Sequence, residues 1–162
     1  MRFSLLYELT NPKPWHERSE ADVWHEAIQQ VELADNLGFE TVWAVEHHFL
    51  EELSVCSAPE IFLSACAMRT KRIRLGHGVV LLPSPFNHPV RVAERIAALD
   101  IVSEGRVEFG TGRASSLIEL DGFRVDPEDT RGMWEEAVGI IPRMWGTDRF
   151  SHEGRYFSVP ER

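Results

Sequence analysis

The chain has 162 residues, 43% apolar and 27% charged, the composition of an ordinary globular domain. Its 17 basic and 26 acidic residues leave a net charge of −9, which argues against a nucleic-acid footprint but still permits a local arginine for a phosphate. Two cysteines, Cys56 and Cys66, are too few for a disulfide framework and are read as reduced thiols near a helix rather than as a bridge or redox pair. The first residues run straight into a strand pattern, with no signal peptide and no spanning apolar run, so a cytoplasmic protein without membrane contact is expected.

Residues 2–9 are apolar and extended, a first strand, broken by Asn11-Pro12-Lys13-Pro14. Ser19 is placed to cap a helix starting near Glu20. In that helix Val23, Ala27, Ile28, Val31, Ala34 and Leu37 keep a 3.6-residue period, and Gly38 ends it. Residues 41–45 are β-branched and aromatic, a second strand. Pro59, suited to a first helical turn, opens a helix to about Arg69. Residues 73–82 read as one third strand, and its apolar run Val79-Val80-Leu81-Leu82 suits a strand buried on both faces.

A Pro-rich loop leads to a helix over 89–102, stopped by Ser103-Glu104-Gly105. Residues 106–110 form a fourth strand. A last helix follows Asp126-Pro127 and runs to Trp145, with Pro142 expected to kink or shorten it. Residues 150–159 form a small hairpin turning at Glu153-Gly154. Trp24, Trp43, Trp134 and Trp145 are assigned to core packing. Four strand–helix units in succession predict an α/β fold with a parallel sheet and right-handed crossovers. They amount to the first four units of a TIM-type (β/α) barrel, a half barrel in one partial domain over 1–162. A half barrel exposes two strand edges that invite pairing, so a truncated product, a domain that pairs with another chain and an open sheet that covers its edges are the expected alternatives.

Three clusters carry chemistry. Glu46-His47-His48 closes the second strand, at the edge where such barrels place their reactions. An imidazole there can exchange protons near neutral pH. The open readings are a catalytic or ligand-contacting pair, structural histidines, or, less readily for adjacent residues, a metal site. Alternation along a strand predicts that one of the two histidines faces a pocket. Gly110-Thr111-Gly112-Arg113 closes the fourth strand, offering close backbone approach and a planar guanidinium for phosphate oxygens, or else an ordinary turn with a surface arginine. Ser115 stands where Gly-x-Gly-x-x-Gly needs its third glycine, so a dinucleotide fold is not indicated. Gly76-His77-Gly78-Val79 marks either the approach of a flat ligand or relief of packing.

Together these stretches resemble the bacterial luciferase-like flavin monooxygenases. The likeness is carried by Gly38-Phe39-Glu40-Thr41-Val42-Trp43, Glu46-His47-His48-Phe49, Leu82-Pro83, and His88-Pro89-Val90-Arg91-Val92-Ala93-Glu94. Leu99-Asp100, Ser103-Glu104-Gly105-Arg106, Gly110-Thr111-Gly112-Arg113 and Gly154-Arg155-Tyr156-Phe157 complete it. The resemblance implies reduced FMN bound at the strand ends, with O2 oxidising an aldehyde or another small organic substrate. It implies that His47 is the catalytic histidine and His48 its sensitive neighbour. Arg113 would contact the flavin phosphate, and Gly78-Val79 would be a non-prolyl cis peptide beside the ring. Gly112 stands in place of the reactive cysteine of light-emitting members, so light emission is not expected. A separate flavin reductase and a homodimer are expected partners, and no metal is. The alternatives on the same fold are an F420-dependent oxidoreductase and a non-catalytic flavin-binding or structural half barrel. Family members carry a second half with four more strands.

Overall fold

A computed structural model describes all residues, Met1–Arg162, and the chain divides into two compact units. The first comprises Met1–Val80 with Ala98–Gly110, and the second Leu81–Ala97 with Thr111–Arg162. In chain order the elements are β1 (Ser4–Tyr7), α1 (Ser19–Leu37), β2 (Thr41–Ala44), α2 (Pro59–Arg69), β3 (Arg74–His77), β4 (Val80–Leu81) and α3 (Pro89–Ser103). Then come β5 (Val107–Glu108), β6 (Thr111–Gly112), α4 (Leu117–Gly122), α5 (Thr130–Trp145), β7 (His152–Glu153) and β8 (Ser158–Val159).

The first unit holds a four-stranded parallel sheet in the order β1-β2-β3-β5. Its register places Leu6 beside Trp43 and Trp43 beside Gly76. One face is core: Val42, Ala44 and Leu75 are buried with Val31 and Ala34 of α1 and Phe62, Leu63 and Cys66 of α2, and Leu5 and Tyr7 pack against them. On the other face Leu6 is 63% exposed. Phe62 is the hub of the core, with Tyr7 tilted against it at 5.6 Å and Trp24 edge-on at 5.9 Å. Gly38 ends α1 at φ 83°, its N–H reaching back to Ala34 and Asp35 carbonyls.

Several expectations are refined. α1 begins at Ser19 with Arg18 in the capping position; the Ser19 hydroxyl instead accepts the His16 N–H at 2.8 Å, and so serves the turn before the helix. The third strand is two: β3 and β4 are separated at Gly78–Val79, which is a cis peptide. The fourth also divides into β5 and β6.

In the second unit α5 continues past Pro142 to Trp145, although the proline withholds its N–H from the ladder. Trp145 is 45% exposed rather than core, its indole N–H donating to the Ala93 carbonyl at 3.0 Å. The 150–159 hairpin forms, with β7 antiparallel to β8. Glu136 of α5 clasps it by accepting from His152 Nε2 and from the N–H groups of Arg155, Tyr156 and Phe157, at 3.0–3.2 Å.

Candidate functional site

In a parallel sheet all C-terminal strand ends lie along one edge, and in the first unit that edge collects Glu8 after β1, Glu46-His47-His48 after β2 and Gly78-Val79 after β3. The loop after β2 is braced there. Val45 N–H donates to Tyr7 C=O at 3.2 Å, Val55 N–H to Leu9 C=O at 3.0 Å, and His47 N–H to Cys56 C=O at 3.0 Å. Gly78 N–H donates to Ala44 C=O at 2.7 Å, which fixes the Gly78–Val79 peptide against the last residue of β2. Leu9 and Phe49 flank the cluster at φ 51° and 61°. Bulky side chains rarely take such left-handed conformations, and backbone held this way gathers at functional sites.

His47 and His48 both line a cleft of about 270 Å³ with Glu20, Phe49, Leu50, Glu51, Ser54, Val55 and Ser57. The expectation that one histidine alone would face a pocket fails because β2 ends at Ala44, so the strand alternation does not extend to residues 47 and 48. Each imidazole lies beside a carboxylate: His47 Nε2 is 3.5 Å from Glu8 Oε2, and His48 Nε2 3.2 Å from Glu46 Oε1. Sequence reading singled out neither Glu8 nor Glu20. Glu8 closes the first strand, and asking which residues close each strand, rather than which motifs recur, would have found it.

Gly76 and Gly78 differ in purpose. A Cβ on Gly76 would overlap the indole of Trp43, so Gly76 is packing relief. At Gly78 a Cβ would meet Trp43 Cβ at 3.3 Å and Leu6 Cδ1 at 3.5 Å, leaving a surface of glycine backbone, indole and leucine. Gly110 is small because a Cβ there would strike the His77 carbonyl oxygen. The thiols of Cys56 and Cys66 are unbridged, and burial pushes both up to about 12, which leaves them protonated and inert at neutral pH.

Gly112 and Arg113 belong to the second unit. Gly112 ends β6, and its carbonyl accepts the Leu82 N–H at 3.0 Å. Arg113 follows, exposed, and then Ala114 at φ 63°. The segment continues into α4, which sequence reading missed. Its signal was Ser116 three residues before Glu119, whose N–H the Ser116 hydroxyl accepts at 3.4 Å.

A parallel α/β sheet with acid–base side chains gathered at its C-terminal edge is the arrangement in which α/β folds, barrels and open sheets alike, place their sites. Comparison narrows this: the model of the luciferase-like monooxygenases matches residues 1–162, and the chain belongs to that family. Limonene 1,2-monooxygenase of Rhodococcus erythropolis is 37% identical over 151 residues, 91% of this chain and 38% of the relative. The crystal structure of monooxygenase RslO1 from Streptomyces bottropensis superposes with a TM-score of 0.90 at 34% identity, covering 98% of this chain and 47% of that one. The FMN complex of the oxygenating constituent of 3,6-diketocamphane monooxygenase from Pseudomonas putida shares the fold at a TM-score of 0.86 and 24% identity, over 98% and 43% of the two chains. The oxygenase component of a flavin-dependent trigonelline monooxygenase from Acinetobacter baylyi is 28% identical over 163 residues, 99% of this chain and 44% of the relative. An F420-dependent secondary alcohol dehydrogenase shares the fold at a TM-score of 0.79 and 21% identity, over 98% of this chain and 46% of that one. The chain thus spans less than half the length of these relatives.

Proposed function

We propose that this chain supplies the cofactor-facing half of an FMN-dependent monooxygenase, as the first four strand–helix units of one partial barrel domain. The observation that carries the reading is that His47 and His48 line one cleft at the C-terminal sheet edge, each beside a carboxylate. Reduced FMN, when bound, supplies the two electrons with which O2 is split between an oxidised product and water. In the first unit the residues present fit the flat ring of that group: Leu6, Trp43 and the Gly78-Val79 backbone offer it an apolar wall. In the second unit, taken by itself, Arg113 with the Gly112 backbone offers a fork and close approach for a phosphate.

His47 holds or moves a proton for the reacting group as general base or hydrogen-bond partner, and His48, steadied by Glu46, supports it. The substrate is a small organic molecule, an aldehyde or one of similar size. Reduced flavin comes from a separate reductase, in line with a relative described as an oxygenase component. A homodimer in the cytoplasm completes the reading.

His47→Ala should lower turnover roughly 10²–10⁴-fold, the usual worth of a positioned acid–base group, while FMN titration gives an unchanged affinity. Unchanged turnover would remove His47 from the reaction. Firmer binding of F420 than of FMN in the same titration would replace the monooxygenase reading with deazaflavin hydride transfer, and binding of neither would leave a structural half barrel.

A further inference from the structure

Glu8 Oε2 lies opposite His47 Nε2 at 3.5 Å, shielded from solvent and accepting no hydrogen bond. A carboxylate oxygen taken out of water requires a proton donor or a cation nearby to offset its lost hydration. The imidazole is placed to be that group, and both partners are mounted on the same braced strand ends. The carbonyls on either side of Glu8, those of Tyr7 and Leu9, accept from Val45 and Val55, which lie on either side of His47 in sequence. Leu9, at φ 51°, turns the chain directly after Glu8.

The other charged and titratable groups about His47 are Glu20 from α1, Glu51 and Cys56 from the loop, and Glu46 and His48 on its own segment. Glu60 at the start of α2 belongs to the same neighbourhood, since burial first and then the fields of Glu46, Glu60 and Glu8 push the Cys56 thiol up. Glu46 Oε1 lies 3.2 Å from His48 Nε2.

We propose that Glu8 is the positioning residue of His47: its carboxylate holds Nε2 as the protonated ring nitrogen and so fixes the tautomer and the ring orientation that the reaction uses. A carboxylate can only accept, so a neutral imidazole facing it keeps its proton on the near nitrogen. The separation of 3.5 Å is an ion-pair distance, longer than a made hydrogen bond, so the hold is chiefly electrostatic. The inference rests on the reading of His47 as the catalytic histidine, but its test does not need turnover.

The test is ring ¹⁵N chemical shifts of the full chain labelled at histidine, recorded at a pH well above the usual imidazole range, with His47 assigned by the signal lost in His47→Gln. The expected result is the Nε2–H tautomer for His47 in the unaltered protein and a mixture of both tautomers in Glu8→Leu, with the His48 signals unmoved. The Nδ1–H tautomer in the unaltered protein overturns the proposal, and so does an unchanged Nε2–H tautomer in a folded Glu8→Leu. The first of these needs no variant, so a failure of Glu8→Leu to fold leaves the question decidable. In turnover with reduced FMN, Glu8→Leu should lower kcat roughly 10–100-fold, the scale for losing an orienting partner, with KM changed less than about 2-fold. Absence of turnover in the unaltered protein would remove the monooxygenase reading and leave the tautomer result to decide the role of Glu8.

Discussion

Gly76 has no room for a side chain. Its Cα faces the indole of Trp43, the residue beside it in the sheet register, and any Cβ would overlap the ring. Gly76→Ala should therefore destabilise the protein by about 1–3 kcal/mol, the usual cost of overpacking a close contact, measured by denaturant unfolding. Trp43→Leu in the same chain should recover part of that loss, because the two residues share one contact; simple additivity would show that the indole is not the obstacle. The sequence shows two small residues around His77 but leaves a packing purpose and a ligand-facing purpose equally open for both. Only the register separates them, since it sets an indole over Gly76 and turns the chain at Gly78. The two histidines were legible as a strand-end pair; their shared cleft was not, because it depends on where the strand stops.

The elements of the first unit are tied by polar side chains at their ends rather than by apolar packing alone. Arg106 donates to the carbonyls of Ala67, Ile73 and Ser103 and to the Thr70 hydroxyl, at 2.7–3.1 Å, joining the ends of α2 and α3 to the start of β3. A lysine has no fork to serve these acceptors together, so Arg106→Lys should cost about 1–3 kcal/mol in unfolding free energy, with no change in FMN affinity. Asp35, 6% exposed near the end of α1, accepts the N–H groups of Lys71, Arg72 and Ile73 at 2.7–3.1 Å. Burial acts to raise its carboxyl, but the three donors and the Arg72 guanidinium outweigh it and hold the group below the ordinary range. A depressed folded value means the ionised form stabilises the fold. That contribution is complete above the unfolded value of about 3.9 and is lost as pH falls through the folded one. The stability gap between the unaltered protein and Asp35→Asn should thus be widest near neutral pH and narrow below about pH 4. A gap independent of pH would mean that shape, not charge, holds the clasp. The longer helices were readable from their period and breakers, α1 and α2 nearly to the residue, whereas the short α4 was not. Asp35 and Arg106 were not, since their partners lie far along the chain.

At the scale of the whole molecule the parallel sheet ends at β1 on one side and β5 on the other. Next to β1, Phe3 is 56% exposed. Open strand edges beside exposed apolar side chains favour association. Native mass spectrometry should therefore give a dimer that retains one FMN per chain in the presence of reduced flavin. Monomers that bind no flavin would turn the reading toward a structural half barrel. No helix is long and apolar enough to cross a membrane. The sequence by itself determined the alternation of strands and helices, the parallel sheet that follows from it, and the placing of Glu46-His47-His48 and Gly110-Thr111-Gly112-Arg113 at strand ends. These depend on period, caps and turns, which act over a few neighbouring residues. The tertiary structure alone decided that the third and fourth strands each divide and that both histidines face one cleft. It also placed an indole over Gly76, set Asp35 and Glu136 to clasp distant backbone, and stood Glu8 opposite His47. Each of these depends on strand register and chain crossing, which bring together side chains whose own local patterns carry no mark of the partner.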